Sequence, residues 1–192
     1  MGFLGQGLQR TRRNAPGTLQ FAGMDYITAA GAFNWPVPPG IDTIDIIAVS
    51  AGVTVTAGAA TSGSSGAVSV RVGKAVTPAE VIQGSIGATV TVDGMTLTDA
   101  NATWWAAASA GVGGDLNFPG ILAATGGPSD IYSLTGNVVG PSIDGSPRLT
   151  GSFNSRTNYP GTFPGGGAYR EGTGQQLGGA AAVFFIMFRS IG

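Results

Sequence analysis

The sequence predicts an all-β domain, a β-sandwich or jelly roll with glycine-rich loops, preceded by an extended N-terminal arm. Three observations carry that expectation. Apolar residues recur at every second position over short runs, which is the period of a strand. Turn-forming clusters separate those runs at short intervals. The 192 residues include 34 Gly and 11 Pro, with 43% hydrophobic and only 10% charged residues, a loop-rich composition that is too apolar for a disordered chain. The length suits one domain with an appendage, residues 1–19 as an anchoring arm and 20–192 as a glycine-rich β domain.

In residues 1–17, Gly2, Gly5 and Gly7 interrupt Phe3, Leu4 and Leu8; Arg10, Arg12 and Arg13 follow, and Asn14-Ala-Pro-Gly17 is a turn that no helix continues through. Ile44, Ile46 and Ala48 alternate with Asp45, Ile47 and Val49, giving two apolar faces, as in a strand buried on both sides; Val53 and Val55 prolong the pattern. Val68, Val70 and Val72 alternate with Ser69 and Arg71, and Val90 and Val92 with Thr89, Thr91 and Asp93, so each of these strands is expected to have one wet face. Pro38-Pro-Gly40, Thr61-Ser-Gly-Ser-Ser-Gly66, Asp93-Gly94 and Asp144-Gly145-Ser-Pro147 read as turns. Helix is expected only at Thr77-Pro-Ala-Glu-Val-Ile-Gln83, where Thr77 can cap and Pro78 suits the first turn, and over 100–110. Residues 111–167 read as long loops pinned by Phe118, Tyr132, Phe153, Tyr159 and Phe163. The closing run, Ala180 to Phe188, contains Val183-Phe-Phe-Ile-Met-Phe188. On a free edge it would template aggregation, so it is expected inside a sheet.

The chain has neither cysteine nor histidine, which excludes disulfides, thiolate and imidazole metal sites, and Cys–His or Ser–His–Asp nucleophiles. Gly73-Lys74 lacks both the earlier glycine and the Ser or Thr of a phosphate-binding loop, and Gly172-Thr-Gly174 meets Gly178 one residue too late for a dinucleotide fingerprint. Asp42 with Asp45, and Asp93 with Asp99, are the nearest carboxylate pairs that could act on a glycosidic bond, but Asp is itself a turn former. No catalytic residue, cofactor or metal ligand is assigned.

Trp104 and Trp105 are adjacent. In a strand one indole fills the core while the other faces an interface, or stacks on a sugar of a host surface glycan. The net charge of −1 opposes phosphate binding by the domain, so no specific nucleic acid partner is expected. No apolar run of about 18 residues is present to span a bilayer, and no secretory h-region follows the start, which implies assembly in the cytoplasm. A surface so poor in charge leaves little to keep a monomer soluble, and a homo-oligomer, with a trimer as the first expectation, covers it.

The segment Ala32-Phe-Asn-Trp-Pro-Val-Pro-Pro-Gly-Ile-Asp-Thr-Ile-Asp-Ile-Ile-Ala-Val-Ser-Ala-Gly52 resembles the opening of the glycine-rich domains of bacteriophage tail fibres and related virion appendages. Pro38-Pro-Gly-Ile41 is similar to their turn, and Ser50-Ala-Gly52 to the start of their glycine run. Ala88-Thr-Val-Thr-Val-Asp-Gly94 is similar to a following valine strand, and Gly178-Gly-Ala-Ala-Ala-Val-Phe-Phe-Ile-Met-Phe188 to their closing segment. Thr54, Thr56 and Ala57 interrupt the glycine tract at the point where the family continues it. The resemblance implies a non-enzymatic virion structural protein, a tail, fibre, spike or capsid decoration component. Its alternatives are a glycan-binding host-receptor adhesin and a tailspike polysaccharide hydrolase.

The arm has no internal means of burying Phe3, Leu4 and Leu8, so an ordered arm must lay them on another virion protein, with Arg10, Arg12 and Arg13 meeting carboxylates at the junction. Removing residues 1–13 is expected to leave a folded domain that no longer joins the assembled particle. Circular dichroism and the protein content of purified particles check the two halves of that outcome, and normal incorporation of the truncated chain contradicts it.

Overall fold

The structure, a computed structural model, describes residues 18–52, 54, 61–62, 65–98, 109–120, 165, 169–170 and 179–191. Among them there is no helix, and the protein is all-β. The described residues form eleven strands: β1 (Thr18–Ile27), β2 (Gly31–Pro36), β3 (Thr43–Val49), β4 (Thr61–Ser62), β5 (Val68–Ala75), β6 (Val81–Ile86), β7 (Thr89–Val92), β8 (Met95–Thr98), β9 (Leu116–Phe118), β10 (Tyr169–Arg170) and β11 (Ala182–Ile191). One antiparallel sheet has the order β1-β11-β3-β5-β9 and a second the order β2-β6-β7-β8, while β4 and β10 form a two-stranded ribbon.

The two sheets share one apolar core, which gives the protein a sandwich-like character. Ile44, Ile46 and Ala48 of β3 and Val183 and Phe185 of β11 meet Trp35, Ile82, Ile86, Val90, Val92, Met95 and Leu97 of the other sheet. At its centre Phe185 is fully buried and stacks on Trp35, ring centroids 4.0 Å apart and 1° from parallel, with Phe33 edge-on at 6.4 Å. The indole N–H of Trp35 donates to Asp25 Oδ2 at 2.9 Å, tying β1 to β2 across the two sheets.

The closing strand lies inside its sheet, as its sequence predicts. Val183 to Phe188 pair with Ala48 to Thr43 on one side, and Thr18 to Ile27 pair along the other. Asp93 and Gly94, at φ of 49° and 76°, form the predicted hairpin turn between β7 and β8, closed by the Val92–Met95 pair. Positive φ at both central residues matches the twist of the flanking strands. Val90 and Val92 are buried and Thr89 and Thr91 half-exposed, the single wet face read from the sequence.

Two expectations are corrected. The helix expected over 77–83 is a turn followed by β6. Glu80 Oε2 accepts from the Thr77 N–H at 3.0 Å, the Glu80 N–H donates to the Thr77 carbonyl at 3.0 Å, and Ala79 sits at φ 66°. From Val81 the chain pairs with β2, Ile82 opposite Trp35, and burial of Ile82 outweighs a weak local helix preference. In β5, moreover, the face expected to be wet turns inward. Ser69 is fully buried, and a Cβ placed on Gly111 would meet both its Oγ and Leu97 of β8. Val68 and Val70 occupy the opposite face, where Val68 packs on Val49 and Phe184. The second expected helix, over 100–110, falls largely on residues outside the described set, as do Val53 and Val55.

Truncating Phe185 to Ala removes the ring on which both sheets close. It is expected to destabilise the chain by about 3–5 kcal/mol, the usual cost of a fully buried aromatic. Urea unfolding followed by tryptophan fluorescence measures it, and a loss below about 1 kcal/mol contradicts this view of the core.

Candidate interaction surface

The five-stranded sheet is apolar on both faces. Side chains alternate across a strand, so while Val183 and Phe185 enter the core shared with the second sheet, Ala182, Phe184, Ile186 and Phe188 point the other way. The strand registers extend that outer face across the whole sheet. Tyr26 stands opposite Phe184, Phe184 opposite Ile47, Ile47 opposite Val70, and Val70 opposite Leu116, an apolar row over five strands. A second row joins Ala182, Val49, Val68 and Phe118. Antiparallel sheets commonly keep one polar face in water; the outer face of this one is apolar.

The middle of the face is sealed by close backbone packing. Val49, Ala182 and Phe184 are buried there. Gly165 donates its N–H to the Ala180 carbonyl at 3.0 Å and accepts from the Gly66 N–H at 2.7 Å. A Cβ on Gly165, at φ 67°, would come 2.7 Å from both the Ser50 carbonyl and Val49, and one on Gly66 would collide with the same carbonyl. Ser50, itself fully buried, donates its N–H to Ala67 and accepts the Ala67 N–H on Oγ at 2.9 Å.

Toward β1 the face stays open. Leu19, Phe21, Met24 and Tyr26 are exposed, Phe21 to 63%, and beside them Ile186 and Phe188 are half-buried. Phe21 meets Phe188 edge-on at 6.3 Å, and Tyr26 leans on Phe184 at 5.8 Å. A β-bulge between Phe21 and Gly23 produces this arrangement. In an unbroken strand of this sequence Met24 and Tyr26 would turn to the opposite face from Leu19 and Phe21; the bulge takes up the extra residue and all four line up. The sequence carries a trace of this feature, since the apolar spacing shifts by one at a glycine inside Leu19-Gln-Phe-Ala-Gly-Met-Asp-Tyr26, a sign of a bulge.

The β9 end of the face is open as well, with Leu116 and Phe118 about half exposed, while on the inner side a charged joint links the two sheets. Arg71 pairs with Asp93 at 3.3 Å and Asp115 at 3.0 Å, and donates to the carbonyls of Asp93 and Gly113; Lys74 pairs with Asp93 at 2.9 Å. The segment bearing Asp115 stitches the sheets together, for Val112 exchanges backbone hydrogen bonds with Thr96 of β8 and the Asp115 N–H donates to Val70 of β5. The Val72 N–H donates to Asp115 at 2.8 Å. That bond, aided by Arg71 against a smaller opposing effect of desolvation, lowers the Asp115 carboxyl below its ordinary range. Asp42 is lowered chiefly by the Ser190 N–H, which donates to it at 2.8 Å. Asp45 accepts from the Gly73 N–H at 2.7 Å. Of the acids read as the nearest pairs, Asp42, Asp45 and Asp93 therefore each hold a chain segment in place, and Asp99 lies outside the described residues.

Phe3, Leu4, Leu8, Arg10, Arg12 and Arg13 of the arm, and the Trp104 and Trp105 pair, also lie outside the described residues. Among those described, no group of three acidic, His or Cys residues could hold a metal ion, and no helix is long and apolar enough to cross a membrane. No protein-family model matches the chain, and no curated protein matches it.

The lowered Asp42 and Asp115 set a direction for acid stability. A carboxyl held below its unfolded value, ordinarily 3.8, stabilises fully above that value and loses its contribution as pH falls through the lower folded value. Replacing both with Asn is expected to lower the urea midpoint at neutral pH. The gap from the unaltered chain should close as titrations are repeated down to about pH 2, and a gap that stays constant with pH contradicts the assignment.

Proposed function

We propose that this chain is a non-enzymatic structural subunit of a bacteriophage virion, a tail, fibre, spike or capsid decoration component that works as a homo-oligomer, with three copies as the first expectation. The observation that carries the reading is the sheet with two apolar faces, one closed by the second sheet and the other left partly open along β1 and β9. A monomer that exposes such a face has poor means of staying in solution when only 10% of its residues are charged, whereas an assembly subunit uses it. The described charged groups support the same reading, because Arg71, Lys74, Asp93 and Asp115 are spent on one another. The virion setting rests on the resemblance to tail-fibre glycine-rich domains, whose two best-matching segments supply β2, β3 and β11.

Light scattering on the purified chain is expected to give a single mass of several copies, three as the first expectation, at micromolar concentration. Electron microscopy of particles decorated with an antibody to the chain is expected to place it at a fixed, repeated position. A chain that is monomeric at those concentrations and missing from particles overturns the proposal.

A further inference from the structure

We propose that the outer β1–β11 patch, formed by Leu19, Phe21, Met24, Tyr26, Ile186 and Phe188, is the surface through which one copy of this chain packs against the next, sheet face on sheet face. The inference deepens the assembly reading and rests on its homo-oligomer; a patch that meets its own copy is a two-fold contact, so it pairs copies and gives an even number in place of three.

Area makes a second copy a sufficient occupant. Four of these side chains are about half exposed or more, from Leu19 at 47% to Phe21 at 63%. Side chains of this size leave on the order of 100 Å² each in water at that exposure. With the half-buried Ile186 and Phe188 the patch offers about 500 Å² per copy, and two copies facing each other bury about 1,000 Å², the size at which a contact becomes a specific interface.

Charge points the same way. Across the outer rows of β1, β11 and β3 the one ionisable carboxylate is Asp45, beside Ile186, and it already accepts from the Gly73 N–H. Such a face offers a charged partner one carboxylate at its margin to pair with, and that single group is all that would repel its own copy.

The alternative of adding a neighbour's strand to the β1 edge is disfavoured by the edge itself. The bulge breaks the regular ladder in mid-strand, and Asp25 Oδ1 accepts from the Tyr26 N–H at 2.8 Å, covering a donor that an incoming strand would need. Both are devices that keep strand edges from pairing. Edge addition would also leave the aromatic side chains in water. The same bulge that spoils the edge completes the face, by turning Met24 and Tyr26 to the side of Leu19 and Phe21.

The test uses the full chain with Phe21→Glu, Met24→Glu and, as a control on the other sheet, the exposed Thr98→Glu. Analytical ultracentrifugation over a dilution series reads association, and near-ultraviolet circular dichroism confirms that each variant is folded. Phe21→Glu and Met24→Glu are each expected to weaken association by roughly 100-fold, as loss of an interface anchor does, with Thr98→Glu unchanged. Because the chain has no cysteine, Phe21→Cys adds a readout that does not depend on tolerating a charge; it should cross-link copies when Thr98→Cys does not. If the unaltered chain associates and folded Phe21→Glu and Met24→Glu associate equally well, the copies meet by another surface or along an edge; this inference then fails and the assembly reading stands. If the unaltered chain stays monomeric throughout, this inference fails together with the homo-oligomer on which it rests.

Discussion

The structure depends on the insertion of β11 between β1 and β3. The last strand of the chain becomes the second strand of its sheet, so its neighbours come from residues 18–27 and 43–49 while it comes from 182–191. Ends this far apart meet only after nearly the whole chain has been gathered, and the entropy of that closure must be offset by what the strand buries. Phe185 is that compensation on the inner face, stacked on Trp35, and Phe184 on the outer. One strand therefore joins the second sheet to the outer surface, and few residues in it have a neutral role.

The remaining joints are made from backbone and short polar groups. Gly66 and Gly165 let chain segments approach where a methyl group would collide with the Ser50 carbonyl. Asp42 holds the end of β11 through the Ser190 N–H, Asp45 holds β5 through Gly73, and Asp93 and Asp115 clasp Arg71 between the two sheets. A protein with ten acidic residues in all thus commits several to its own architecture. This economy suits a subunit whose surface contacts are apolar, and it unites the composition, the doubled apolar sheet and the proposed assembly role.

Much of the fold was legible in the sequence. The double alternation at Ile44 to Val49, the valines of β7, the Asp93-Gly94 turn and the interior position of the closing strand all follow from local pattern, because side-chain period and turn chemistry are properties of the chain itself. The open β1 patch was much less legible. Its apolar set is broken in mid-strand by a bulge, so neither a clean two-residue period nor a helical one marks Leu19, Phe21, Met24 and Tyr26. The helix expected at 77–83 failed for a related reason: Thr77 and Pro78 suit a helix start and a tight turn equally, and only Trp35 across the ladder from Ile82 selects the turn.

By itself, then, the sequence determined the all-β class, the strand runs that bury their apolar sides and the need to shelter the C-terminal strand. The tertiary structure alone decided which side of each strand is inside. Alternation in β5 shows that Val68 and Val70 oppose Ser69 and Arg71, but it carries no information on where the second sheet lies. Because that sheet packs on the serine side, where Ser69 is buried and Arg71 finds Asp93, the valines become part of an outer apolar face. Period is written locally, residue by residue, while facing depends on partners distant in the chain.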